Sequence, residues 1–223
     1  MPRVLRIGHR GAAGRAPENT LASLEKAIAL GADLVEFDVQ RTRDGYLVLI
    51  HDKTVDRTTD GTGSVSRMTL ATLRTLHAGD GQRVPTLEEA LQVANGRVGL
   101  IPEIKAEGIG EQVAAAVRHS GFSGPVIYAS FHHPELLSVR RAEPSPTTMA
   151  LFKKLPKQPI ARVREAKAAS VGLRRDTVTE RVVDMFHAAG LRVFVYTVNE
   201  PSDIQRMRAL KVDGIISDFP ERI

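Results

Sequence analysis

Leu34-Val35-Glu36-Phe37-Asp38-Val39-Gln40-Arg41-Thr42-Arg43-Asp44-Gly45-Tyr46-Leu47-Val48-Leu49-Ile50-His51-Asp52 is the stretch on which the fold turns. Its first half is a short β-branched and aromatic run, and Asp44-Gly45 is a hairpin signal, so Val39–Arg43 and Tyr46–Ile50 are expected to pair across a two-residue turn. With Arg43 opposite Tyr46, the register puts Asp38 opposite His51. Cross-strand neighbours lie about 5 Å apart, which would bring that histidine beside the carboxylates.

Working outward, similar short runs recur at 4–8, 98–104, 126–130, 148–152, 170–173, 193–197 and 214–217, separated by helical patterns. Leu21, Leu24 and Ile28 give the first helix one apolar stripe. Thr86 with Glu89 reads as a capping box, and Gly31, Gly96, Gly121 and Gly190 read as helix stops. Together with 34–39 these make eight strands joined by helical crossovers. A 223-residue chain of this pattern is expected to form one domain, a (β/α)8 barrel of the TIM type. Only six residues follow Ser217, so the last outer helix should be missing or reduced to a turn. The segment of about 52–85, which carries Arg57-Thr58-Thr59-Asp60-Gly61 and a helical pattern over 70–76, reads as an insertion forming a small lid beside the barrel mouth.

Composition narrows the function classes. Hydrophobic residues make up 42%, charged residues 26% and aromatics 4%, the range of an ordinary globular protein with an aliphatic core. No cysteine is present, which excludes thiolate metal sites and cysteine nucleophiles. The net charge of +5 favours anionic ligands, but the basic residues fall in scattered pairs and not in a nucleic-acid-binding patch. Residues 1–7 lack the apolar core of a signal peptide and no run is long enough for a membrane span. The expectations are therefore a cytoplasmic enzyme on a small anionic substrate, no nucleic-acid partner and no stable membrane insertion, with oligomeric state open.

In a (β/α)8 barrel the chemistry sits at the C-terminal strand ends, and the chemically capable residues fall there. His9 and Arg10 follow the first strand, Glu36 and Asp38 lie on the second, and Glu103 and Lys105 on the third. Residues i and i+2 share a strand face, so the three carboxylates are expected to converge on a hard divalent cation, Mg²⁺ or Ca²⁺. Arg10 and Lys105 would hold the negative charge of a phosphate, and His9 and His51 suit the proton transfers of phosphodiester cleavage.

The ordered motifs His9-Arg10-Gly11, Pro17-Glu18-Asn19-Thr20, Glu36-Phe37-Asp38-Val39, His51-Asp52, Arg57-Thr58-Thr59, Glu103-Ile104-Lys105, Ser130-Phe131, Thr197-Val198-Asn199 and Asp213 to Pro220 run nearly end to end. In them the chain resembles the glycerophosphodiester phosphodiesterase family. The resemblance implies a metal held at Glu36, Asp38 and Glu103, acid/base roles for His9 and His51, and phosphate contacts from Arg10 and Lys105. It also implies a wall of the substrate site at Phe131 and Tyr196, where Tyr196 replaces the family's common Trp. The implied reaction releases sn-glycerol 3-phosphate and an alcohol. Lysophospholipase D-like and phosphoinositide phospholipase-like phosphodiesterases share the barrel and would carry an apolar rim, whereas the insertion here is polar. A non-catalytic binder of phosphate metabolites would have no use for the full set of histidines, carboxylates and lysine. Pro102 interrupts the third strand one residue before Glu103, a place where a closed sheet normally avoids proline.

Overall fold

The computed structural model describes residues 3–223. Among the described residues nine strands form: β1 (Leu5–Gly8), β2 (Leu34–Arg41), β3 (Leu47–Leu49), β4 (Gly99–Ile104), β5 (Ile127–Ser130), β6 (Thr147–Phe152), β7 (Ser170–Arg174), β8 (Arg192–Tyr196) and β9 (Gly214–Ser217). All but β3 are parallel, and they follow one another around a ring that closes where Ile7 and Gly8 of β1 pair with Leu34 and Val35 of β2. The predicted (β/α)8 barrel is the fold observed. Its outer helices are α1 (Leu21–Ala29), α3 (Leu87–Ala94), α4 (Gly110–His119), α5 (His133–Ala142), α6 (Pro159–Glu165), α7 (Glu180–Ala188) and α8 (Pro201–Ala209), with a short α2 (Leu70–Leu73) in the segment after β3. After β9 a 3₁₀ turn, Pro220–Arg222, stands in for an eighth outer helix. Among the described residues no helix is long and apolar enough to cross a membrane.

The barrel is filled by side chains from alternate positions of its strands, among them Ile7, Leu34, Ile101, Met149, Phe194 and Ile216. The opposite faces of the same strands, Val35, Phe37 and Val39 for example, pack on the helices. This alternation sends Glu36 and Asp38 of β2 inward with Leu34, and Glu103 of β4 inward with Ile101. The six-residue β2–β4 register pairs Asp38 with Glu103.

Local capping chemistry sets where the helices begin and end. Thr20, Thr69, Thr86 and Thr179 each accept a backbone N–H of their helix, and Thr86 and Glu89 form the expected capping box. The start of α4 has no cap of its own. Instead the buried Glu135 of α5 accepts the N–H groups of Gly108, Ile109 and Gly110 at 2.7, 3.1 and 2.7 Å. A carboxylate there satisfies three orphan donors and complements the positive end of the helix dipole.

The hairpin differs from expectation by one residue. Val39 pairs with Leu49 and Arg41 with Leu47, so Asp38 lies opposite Ile50, whose N–H it accepts at 3.0 Å, and His51 sits one residue beyond. The cause is a three-residue loop. Gly45 N–H bonds Thr42 O, Gly45 takes φ +91°, and Thr42 N–H then bonds Tyr46 O. The Thr42 hydroxyl holds this turn by donating to Asp44 at 2.7 Å, which a two-residue reading of Asp44-Gly45 overlooks. The helical pattern over 70–76 likewise yields only α2. Beyond Arg74 the bonds shift to i+3, and Arg83 takes the Thr75 carbonyl at 2.9 Å. The segment from Ile50 to Thr86 has a small core of its own, in which Ile50, Val55, Val65, Leu73 and Val84 are buried.

Pro102 has a structural account. On β4 the odd-numbered N–H groups face β2, as Gly99 to Asp33 O and Lys105 to Val39 O show, while Leu100 N–H faces β5 and bonds Pro125 O. The missing donor of Pro102 therefore falls on the β5 side. There the ladder is reduced to the Glu103–Ala129 pair and an isolated Leu100–Val126 bridge. Two residues further on, the Ser130 hydroxyl of β5 donates to Ile104 O at 2.8 Å and ties the two strands together by a side chain.

Glu135→Ala is expected to lower unfolding free energy by about 2–4 kcal/mol in urea titrations, because it orphans three donors at once, those of Ile109 and Gly110 buried. A loss within 0.5 kcal/mol of zero would show that water or the backbone replaces the carboxylate.

Candidate active site

The three inward carboxylates meet at the C-terminal end of the barrel. One oxygen from each of Glu36, Asp38 and Glu103 lies within 4.8 Å of the others. Burial, then the charges of Asp38 and Glu103, pushes Glu36 well above the usual carboxylate range. Glu103 rises to about 7 for the same reasons, burial first and Asp38 second. Asp38 is equally buried, yet Lys105, then Arg10 and His51, outweigh burial and hold it low. This all-oxygen donor set has a large cost if left anionic and uncompensated, which is the condition that a hard dication relieves.

The cations nearest the cluster are held within it. Lys105 Nζ donates to Glu103 at 2.7 Å and stands 3.4 Å from Asp38. The backbone of Arg10 donates to Glu36 at 2.9 Å, while its Nη1 donates to Glu18 at 2.8 Å and its Nε lies 3.3 Å from Asp38. Arg10 holds a left-handed φ of +49°, next to Gly11 at +87°. A Cβ on Gly11 would meet the Ser23 hydroxyl at 2.3 Å, so the turn that aims Arg10 needs glycine there. Asn19 completes the frame, donating to Asp38 at 2.9 Å and accepting the Asp38 N–H at 3.0 Å.

Each histidine is oriented by an aspartate. His9 Nδ1 lies 2.6 Å from Asp218, and Asn199 donates to the other oxygen of that carboxylate at 2.6 Å. His51 Nδ1 lies 2.6 Å from Asp52, whose second oxygen accepts from Arg57 at 2.6 Å. Arg57 holds Asp52 at about 2 against partial burial, with His51 adding to the effect. Because a carboxylate accepts at Nδ1, the proton sits there in both rings, and both Nε2 atoms are left for chemistry. His9 Nε2 is 4.0 Å from Glu36.

His9, Arg10, His51, Glu103 and Lys105 line one open cleft of 470 Å³, whose far wall is Phe131, His132, Lys153, Arg174 and Tyr196. Phe131 and Tyr196 meet edge to face with centroids 5.9 Å apart, and the Tyr196 hydroxyl donates to Phe152 O at 2.9 Å. Below the cleft a 30 Å³ extension between His9, Glu36, Glu103 and Leu151 reaches the barrel core. A larger cavity of 530 Å³, between Arg3, His187, Arg208 and Asp213, opens at the opposite end of the strands and touches none of these groups.

All nine candidate residues thus gather around one mouth. Sequence reasoning gave no role to Asp218, Asp52, Asn199, Asn19, Glu18 or Arg57, which orient the residues it did select. Their signal was position: Asp52 adjoins His51, and Asp218 follows the last strand at the same barrel end as His9. Arg57 further ties the inserted segment to the barrel, gripping Glu18 with both terminal nitrogens at 2.8 Å.

The glycerophosphoryl diester phosphodiesterase family matches residues 9–222. A glycerophosphodiester phosphodiesterase from Caldanaerobacter subterraneus subsp. tengcongensis is 36% identical over 99% of this chain and 96% of its own length. A phosphodiesterase from Oleispira antarctica, solved in complex with the product sn-glycerol-3-phosphate, superposes with a TM-score of 0.92 at 32% identity, over 100% of this chain and 95% of that one. The glycerophosphodiester phosphodiesterase of Agrobacterium tumefaciens superposes at 0.85 with 31% identity, covering 99% and 98%. With this site on this barrel and a family match along nearly its whole length, the chain belongs to the glycerophosphoryl diester phosphodiesterase family.

Proposed function

We propose that the protein hydrolyses glycerophosphodiesters to sn-glycerol 3-phosphate and an alcohol, using a divalent cation, Mg²⁺ or Ca²⁺, held by Glu36, Asp38 and Glu103. The observation that carries this reading is the pair of imidazoles, each fixed by its own aspartate at 2.6 Å with Nε2 unengaged, on one cleft above a three-carboxylate cluster. The product bound to the Oleispira antarctica relative supports the same substrate class. A dication at the carboxylates would supply Lewis acidity toward a phosphoryl oxygen and offset the charge that burial makes costly.

The side chains of the chain itself divide the remaining work. One imidazole, its Nε2 unprotonated, takes the proton of the nucleophile as that oxygen bonds to phosphorus. The other, protonated on both nitrogens and steadied by its aspartate, gives its Nε2 proton to the departing alkoxide as the phosphorus–oxygen bond to the alcohol breaks. Arg10 and Lys105 balance negative charge on the phosphoryl oxygens, and Phe131 and Tyr196 wall the substrate. The nucleophile is water, or else the substrate's own glycerol hydroxyl, in which case a cyclic phosphate forms and is opened by water.

Incubation with Mg²⁺ or Ca²⁺ and a panel of glycerophosphodiesters is expected to release glycerol 3-phosphate, and chelation to stop it. Release of none from any substrate would refute the reading. His9→Ala and His51→Ala should each lower kcat by about 10² to 10⁴-fold. With a glycerophospho-p-nitrophenyl diester, whose phenolate leaves without help, the variant lacking the acid should recover most of its rate and the variant lacking the base should not. Equal losses on both substrates would remove the acid/base division. Glu103→Gln should raise the Tm of the chelated protein by relieving like-charge repulsion, and should abolish the upward shift that added Mg²⁺ or Ca²⁺ gives the native protein. A retained shift would place the cation elsewhere.

A further inference from the structure

The charged groups of the cleft are unevenly matched. On the catalytic side the cations Arg10 and Lys105 face Glu18, Asp38 and Glu103. On the far wall Arg174 is paired with Asp176, and the His132 ring lies 3.1 Å from Glu107. Lys153, just past the end of β6, is the exception. Among the described residues no carboxylate lies within ion-pair distance of it, and its ammonium lies 5.5 Å from the centroid of the Phe131 ring. Lys105 approaches the same ring at 5.9 Å.

This arrangement bears on which alcohol the site accepts. A cationic head group is bound best by an unoccupied aromatic face or by a carboxylate. Here the Phe131 ring already has two ammonium groups of the protein 5.5 and 5.9 Å from its centroid, and among the described residues the one carboxylate lining this cleft is Glu103, on the catalytic side. The glycerophosphoryl half is the same in every glycerophosphodiester, so the field of Lys153 distinguishes one substrate from another only through the alcohol.

We infer that Lys153, set against Phe131, is a specificity-determining residue that biases the enzyme toward glycerophosphodiesters of neutral or anionic alcohols and against those carrying an ammonium. The inference rests on the hydrolysis proposed above. An exposed charge at a cleft mouth acts through partly screening solvent, so a bias of about 3- to 10-fold is expected, shrinking as salt rises.

The test compares kcat/KM for glycerophosphocholine, glycerophosphoglycerol and glycerophosphoinositol 4-phosphate at low and high ionic strength. The native protein should favour the last over the first. Lys153→Met should level the ratio, and Lys153→Glu should reverse it toward choline. Lys154→Met, which removes the neighbouring exposed charge, should leave the ratio as it was. Turnover of all three with a ratio that ignores Lys153, or one that moves equally with Lys154, overturns the inference while leaving the hydrolysis intact. Failure of all three to react, together with glycerophosphoethanolamine, instead refutes the hydrolysis on which it rests.

Discussion

Glu36, Asp38 and Glu103 are packed side by side at the top of the barrel interior, where burial and mutual repulsion both oppose their ionisation. Much of the surrounding architecture exists to hold that cluster in place. The β2–β4 register sets Asp38 beside Glu103, the turn after β1 sends the Arg10 backbone to Glu36, and Asn19 grips Asp38 from both its N–H and its carboxylate. Lys105 and Arg10 offset part of the negative charge and leave the rest for a ligand. Removing any one cation would strand a buried anion, which costs far more than an exposed pair ever contributes.

Around this centre runs a ring of aspartates and arginines that does no bond-making of its own. Asp218 and Asp52 fix the histidine tautomers, and Asn199 and Arg57 in turn fix the aspartates. Arg57 comes from the segment inserted after β3 and Glu18 from the loop before α1, so their bidentate contact ties these two segments together at the barrel mouth. Orientation of a catalytic ring by a carboxylate at its far nitrogen is what lets the near nitrogen meet a substrate without reorganising.

The fold was legible because the barrel strands announce themselves one at a time. Each is a short aliphatic run between helix caps and left-handed glycines, and Thr86, Glu89 and Gly31 behave as their types dictate. Glu36, Asp38, Glu103 and Lys105 were legible for the same reason, since the two-residue period of a strand fixes their common face. What escaped reading were contacts without periodicity. The Thr42 hydroxyl lengthened the hairpin loop by one residue and moved His51 past Asp38, and Glu135 caps a helix that precedes it by a whole βα crossover. Neither arises from propensity; each depends on groups that only the folded chain brings together.

The interrupted ladder at Pro102 has one more consequence. Gly99-Leu100-Ile101-Pro102-Glu103-Ile104 has apolar side chains on both faces, so hydrophobicity alone hardly distinguishes the native alignment from one shifted by a residue. Such a slip would turn Glu103 out among the helices and carry the imino nitrogen of Pro102 to the β2 side, where a donor would then be missing. In the native alignment the proline falls instead beside β5, where the ladder is in any case reduced to one pair and one bridge. The residue that looks like a flaw in the sheet penalises the misfolded alternative and keeps an acid pointing into the barrel.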